Sequence, residues 1–122
     1  MERKKILLVE DDQDIRENLA EFLEGEGYDV EYAKNGKEGI DHLNQAENLP
    51  NLILLDLMMP IMDGFQFSIQ KEANPKISHV PVVVMSADGH IRENQQKVNA
   101  RAYLKKPVDI YEILDVIQKY SV

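Results

Sequence analysis

The sequence predicts an α/β domain built on a parallel sheet with helices on both faces. Three observations predict it. Short continuous apolar runs alternate with longer stretches whose apolar residues recur at helical spacing, five such pairs follow one another in 122 residues, and no hairpin signal joins two runs. Strands buried on both faces read as unbroken apolar runs, and parallel neighbours need a crossover connection between them.

Ile6-Leu7-Leu8-Val9 predicts the first strand. Ile15, Leu19, Phe22 and Leu23 then recur at helical spacing, and Gly25 and Gly27 end that helix. Tyr28 to Tyr32 reads as a short alternating strand, and Asn35-Gly36 turns the chain into a second helix with Ile40 and Leu43 on its apolar face. Pro50-Asn51 breaks that helix before the strand Leu52-Ile53-Leu54-Leu55. A loop from Met58 to Asp63 leads to a third helix whose apolar face is assigned to Phe65 and Ile69. Val80 to Met85 is the fourth strand, with Pro81 near its start, where a missing N–H is tolerated. A weakly amphipathic fourth helix is expected around Ile91 to Val98, and Ala102-Tyr103-Leu104 is a short fifth strand. Asp109 with Glu112 three residues later resembles a capping box, opening a last helix with Ile110, Ile113, Leu114 and Ile117 on its buried face. No linker, repeat or low-complexity stretch interrupts this pattern, so residues 1–122 read as one domain.

Composition narrows the function. A net charge of −8 argues against nucleic acid as a direct partner, because phosphate backbones are bound by a surplus of Lys and Arg. The chain has no cysteine, which excludes disulfides and thiolate zinc sites. No apolar run approaches the roughly 20 residues that span a bilayer. The run behind the charged N-terminus, Ile6 to Val9, is too short for a signal sequence, so the expectation is a cytoplasmic domain with no membrane partner.

In an open parallel sheet, ligands bind beyond the carboxyl ends of the strands. Those ends carry Glu10-Asp11-Asp12, Asp56, Ser86-Ala87-Asp88 and Lys105-Lys106-Pro107. Separately, each has a plain explanation: a helix-capping cluster, a turn residue, surface charge. Together they bring carboxylates, a hydroxyl and an ammonium to one rim. Two carboxylates about 5 Å apart repel by roughly 3 kcal/mol at an effective dielectric of about 20. A hard dication such as Mg²⁺, held by Asp11 and Asp56, would offset this, and Lys106 supplies a fixed positive charge. Such a rim suits attack by a carboxylate on phosphorus, with Ser86 bonding a phosphoryl oxygen. Alternation at the strand end aims only one of the two lysines inward, and Lys105 is read as solvent-facing. His42, His79 and His90 are read as surface residues.

The segments Ile6-Leu7-Leu8-Val9-Glu10-Asp11-Asp12, Leu54-Leu55-Asp56-Leu57-Met58-Met59-Pro60 with Asp63-Gly64, Met85-Ser86-Ala87 and Tyr103-Leu104-Lys105-Lys106-Pro107 resemble, in order and spacing, the signatures of bacterial two-component response-regulator receiver domains of the chemotaxis-regulator type. The resemblance implies a flavodoxin-like, doubly wound five-stranded parallel sheet of order 2-1-3-4-5 with five helices. It implies Asp56 as phosphoacceptor from a histidine kinase, a phosphotransfer protein or a small phosphodonor. It further implies an Mg²⁺ site of Glu10, Asp11, Asp56 and the Met58 carbonyl, with Asp11 binding directly and Glu10 through water. Ser86 and Tyr103 become the switch pair and Lys106 the lysine of the site, beside a proline often in the cis form. Phosphorylation would change the surface around the fourth helix, fifth strand and fifth helix to control a downstream protein.

Three positions depart from that pattern. Glu10 stands where Asp is commoner, Val108 where Phe is usual, and Asn99-Ala100-Arg101-Ala102 where Gly-Ala and acidic residues often precede Tyr103. The last difference argues for a monomer or weak dimer. Other classes fit less well. A haloacid-dehalogenase-like phosphatase needs an Asp two residues after the nucleophile, where this chain has Met58, and a flavin-binding loop would not be as acidic as Glu10 to Asp14. A partner-binding domain without phosphorylation would not need the intact acids, hydroxyl and lysine. The reading is a signalling domain rather than an enzyme, catalysing only its own phosphorylation and dephosphorylation. No effector domain follows Lys106, which leaves open a stand-alone regulator or a piece of a longer protein.

Overall fold

The computed structural model describes residues 3–87 and 98–122. Five strands form one parallel sheet: β1 (Lys5–Val9), β2 (Asp29–Ala33), β3 (Leu52–Asp56), β4 (Val82–Ser86) and β5 (Ala102–Lys105). Their order across the sheet is β2-β1-β3-β4-β5, as expected. The chain direction across the sheet reverses between β1 and β3, so Glu10 and Asp56 emerge beside each other. Among the described residues there are four helices: α1 (Gln13–Gly25), α2 (Gly36–Gln45), α3 (Gly64–Glu72) and the C-terminal helix (Ile110–Tyr120). The further helix expected around Ile91 to Val98 lies, apart from Val98, outside the described residues.

The apolar runs are buried throughout, and alternate residues pack on opposite faces. Leu7, Val9, Ile53, Leu55, Val82 and Val84 pack with α2 and α3, while Ile6, Leu8, Leu52, Leu54, Val83 and Met85 pack with α1 and the C-terminal helix. Helix faces follow the expected residues in α1 and α2. On the C-terminal helix Ile113 and Ile117 are buried and Leu114 is half-buried, but Ile110, expected on the same face, is exposed because it is the first residue after the Asp109 cap and lies beyond the sheet. The departure is larger in α3. There Phe67 is fully buried and Ile69 is 68% exposed, with Ser68 and Lys71 also turned inward. Lys71 is accommodated because its Nζ donates to the Ser78 carbonyl (2.7 Å) and pairs with Glu72 (3.3 Å).

Short polar side chains set the helix starts. Asp12 caps α1 by accepting from the N–H groups of Asp14 and Ile15, and Asn35 caps α2 through Glu38 N. Asp109 caps the C-terminal helix through Tyr111 N, whereas the reciprocal capping box occurs at Asp63 and Gln66 of α3.

Between β3 and α3 the backbone is tight. Met62 N donates to Pro60 O (2.8 Å) across Ile61, whose φ of 70° is unusual for a β-branched residue. Gly64 then starts α3 against the strand end: its N–H donates to Leu57 O (2.9 Å), and a Cβ there would lie 2.7 Å from Leu57 Cα and 2.9 Å from Asp56 O. Backbone atoms cannot yield as a flexible side chain can. Gly64→Ala is therefore expected to lower stability by about 1–3 kcal/mol, seen as a reduced urea midpoint. An unchanged midpoint would show that this approach is not tight.

Candidate functional site

Glu10, Asp56, Ser86 and Lys106 sit where strands stop. β1 ends at Val9, and Glu10 remains tied to the sheet edge because its N–H donates to Ala33 O (3.0 Å). Its side chain is 0% exposed, whereas Asp11 is exposed. Asp56 is the last residue of β3 and Ser86 the last of β4, both buried. Lys106 follows β5, held by its N–H to Ser86 O (2.8 Å), and a cis peptide joins it to Pro107. Lys105 faces solvent, as alternation implied.

One ligand atom from each of Glu10, Asp11 and Asp56 falls within 4.8 Å of the others. Lys106 reaches the same point: its Nζ lies 2.7 Å from Glu10 Oε1 and 3.2 Å from Asp56 Oδ2. Asp56 Oδ1 accepts from Met58 N (3.2 Å). The site thus gathers three carboxylates around one ammonium. Burial, then the adjoining Asp56 carboxyl, pushes Glu10 up to about 8 against the opposing pull of Lys106. Burial acts to lower the Lys106 pKa, but the hydrogen bond from its ammonium to Glu10 and the charge of Asp56 outweigh it and hold the value above the usual lysine range.

The residues fit a hard cation. Glu10 Oε2 is buried and accepts no hydrogen bond from any described residue, and the donors converging there are all carboxylate oxygens. The elevated Glu10 pKa describes the same surplus of negative charge, which a proton or a cation relieves. Asp12, adjacent in sequence, is committed to its capping bonds.

Tyr103 is half-buried on β5, and its hydroxyl donates to the Val98 carbonyl. Burial raises its pKa. Met58 is 62% exposed beside the Asp56 carboxylate. Of the histidines, His79 is exposed and His42 is half-buried, its Nε2 2.9 Å from Glu31 Oε1, while His90 is outside the described residues, as is Asp88.

Arg16 was not anticipated. It is buried on α1, where Nη1 donates to the carbonyls of Glu10 (2.9 Å) and Asp11 (3.3 Å). Its spacing with Leu19 and Leu23 along one helical face was the available signal.

A family model described as the response regulator receiver domain matches residues 6–118. Sporulation initiation phosphotransferase F of Bacillus subtilis is 34% identical over 98% of this chain and 95% of its own length. Response regulator MprA of Mycobacterium sp. (strain KMS) is 36% identical over 90% of this chain, which spans only 47% of that relative. The chemotaxis response regulator CheY4 of Vibrio cholerae superimposes with a TM-score of 0.87 at 26% identity, covering 98% of this chain and 99% of that one.

Proposed function

Because this chain belongs to the response regulator receiver family, whose domains serve phosphorelay signalling in two-component systems, we propose that it is a phosphoacceptor switch with Asp56 as the acceptor. The observation that carries the proposal is the juxtaposition of the buried Asp56 carboxylate with Lys106 and the acidic pair Glu10 and Asp11 at one sheet edge. Receiver domains generally bind Mg²⁺ in such an acidic pocket; here Asp11, Asp56 and the Met58 carbonyl would hold it, with Glu10 through water. When bound, Mg²⁺ supplies charge neutralisation to the transferring phosphoryl group.

An Asp56 oxygen attacks phosphorus of a phosphohistidine or a small phosphodonor. The new O–P bond forms as the P–N or P–O bond to the donor breaks, and the electron pair leaves with the donor. Lys106 is held more closely by Glu10 than by Asp56, so it stays charged beside the acceptor without locking it. The phosphoryl group adds about −1.5 to −2 charges, to which Lys106 and Ser86 respond. Tyr103 lies on β5, the strand that leads into Lys106, and this supports the reading of Ser86 and Tyr103 as the switch pair. The surface they control comprises β5 and the C-terminal helix; the fourth helix expected beside them, around Ile91 to Val98, lies apart from Val98 outside the described residues.

A groove of about 510 Å³ lies beside Lys106, lined by Ile15, Leu19, Met85, Pro107, Val108 and Ile113 among others. A donor's imidazole reaches Asp56 only if its protein docks next to the rim, and this apolar groove suits a sensor histidine kinase or phosphotransfer protein. Downstream, the partner is a protein. Residues 1–122 act as a single receiver domain, monomeric or weakly dimeric, with self-directed catalysis only. Among the described residues no helix is long and apolar enough to cross a membrane. With the net charge of −8, this favours a cytoplasmic signalling protein with no direct nucleic-acid contact.

Incubation with Mg²⁺ and a small phosphodonor is expected to give one phosphoryl adduct by intact mass, mapping to Asp56, and Asp11→Ala is expected to abolish it. An adduct elsewhere, or none in the wild-type protein, would contradict the assignment.

Met58 sets the persistence of the signal. Water must approach the acyl phosphate in line, and Met58, exposed two residues after the acceptor, offers a thioether that is too weak an acceptor to orient that water. Met58→Asn is expected to shorten the phosphorylated lifetime by less than tenfold, about 1 kcal/mol of barrier. Mg²⁺ affinity should barely move, because the metal uses the main-chain carbonyl. The readout is phosphoprotein decay at fixed Mg²⁺ after donor removal, and an equal or longer lifetime would exclude this role.

A further inference from the structure

We propose that Arg16 is a positioning residue that sets the Mg²⁺ affinity of the site through the backbone of Glu10 and Asp11, an inference that rests on the metal-site reading above. Arg16 is only 6% exposed, yet among the described residues it forms no ion pair with a carboxylate. Its Nη1 is shared between two consecutive carbonyls, those of Glu10 and Asp11. The guanidinium carbon sits 5.3 Å from the centroid of the Tyr32 ring, and Nε is buried with no hydrogen-bond partner among the described residues.

That is a costly way to attach α1 to β1. A buried donor left unsatisfied is unfavourable, as is a buried cation without an anion. An apolar residue at this point on the Leu19–Leu23 face would anchor the helix without either cost. What it could not do is grip the peptide groups that carry the acidic pair.

The grip matters because Glu10 and Asp11 are adjacent, and adjacent side chains on extended backbone project to opposite sides. Here one carboxylate is buried and the other exposed, and yet an oxygen of each falls within 4.8 Å of the other and of Asp56. The chain must turn between them, and Arg16 holds the two carbonyls of that turn. Tyr32, itself largely exposed, covers the guanidinium and keeps it over the turn.

The test compares wild type, Arg16→Met and Tyr32→Leu by calorimetric Mg²⁺ titration of protein shown to be folded, and by phosphoryl uptake from a small phosphodonor across Mg²⁺ concentrations. Arg16→Met should weaken Mg²⁺ binding by about 10-fold or more, as loss of an outer support does at other metal sites. Uptake should recover towards the wild-type rate when Mg²⁺ is saturating, a split that simple loss of stability would not produce. Tyr32→Leu should weaken binding in the same direction and to a smaller extent. Should Arg16→Met not fold, Arg16→Lys carries the test: it keeps a cation but loses the planar fork, and weaker Mg²⁺ binding is again expected. Wild-type affinity in a folded Arg16 variant would overturn the inference while leaving the metal site standing. Absence of Mg²⁺ binding by the wild-type protein would overturn both.

Discussion

The contact between the Lys106 ammonium and the carboxylates of Glu10 and Asp56 is the constraint around which the rest of the rim is arranged. Three carboxylates crowd one cation, and Glu10 is wholly removed from solvent. Charges of one sign about 5 Å apart in a medium of effective dielectric about 20 repel by roughly 3 kcal/mol per pair. The fold accepts this cost because the groups sit at or just beyond the ends of paired strands, Asp56 on β3 and Glu10 directly after β1, both strands buried. β1 and β3 pair along their length, so the carboxylates cannot drift apart to relieve their repulsion. The rim is consequently a site whose surplus negative charge is relieved by a proton on Glu10 or by a bound cation, and whose Lys106 ammonium is ready for an added anion.

That frustration links stability to signalling. A scaffold with little stability to spare keeps an unfavourable cluster only where function uses it. The supports are spread over several elements: Gly64 lets α3 abut the end of β3, Arg16 grips the acidic turn, and Ser86 O holds the Lys106 backbone.

Much of the architecture was legible in the sequence, for a physical reason. Strands buried on both faces must be apolar without interruption, so Ile6–Val9 and Leu52–Leu55 announce themselves, and the strand ends then locate the site. Helix faces were less secure. Phe65, Phe67 and Ile69 alternate at every second position, so α3 offered two candidate faces, and only tertiary contact with Gly39 and the sheet selects Phe67. Charged residues whose stems are buried were harder still. Lys71 and Arg16 count as polar, yet each lies on a core-facing stripe with its charged end on main-chain carbonyls. In Glu10-Asp11-Asp12, composition alone does not separate the capping carboxylate from the acidic pair; the structure does so by giving Asp12 the N–H groups of Asp14 and Ile15.

The most direct test of this charge imbalance is urea unfolding of wild type and Asp56→Asn, each with a chelator and with Mg²⁺. Neutralising one crowded carboxylate should make Asp56→Asn the more stable protein without metal, by about 1 kcal/mol or more given the repulsion it removes. Mg²⁺ should then stabilise the wild type more than the variant, because only the former keeps the full set of ligands. An Asp56→Asn protein no more stable than wild type in the absence of metal would contradict the account.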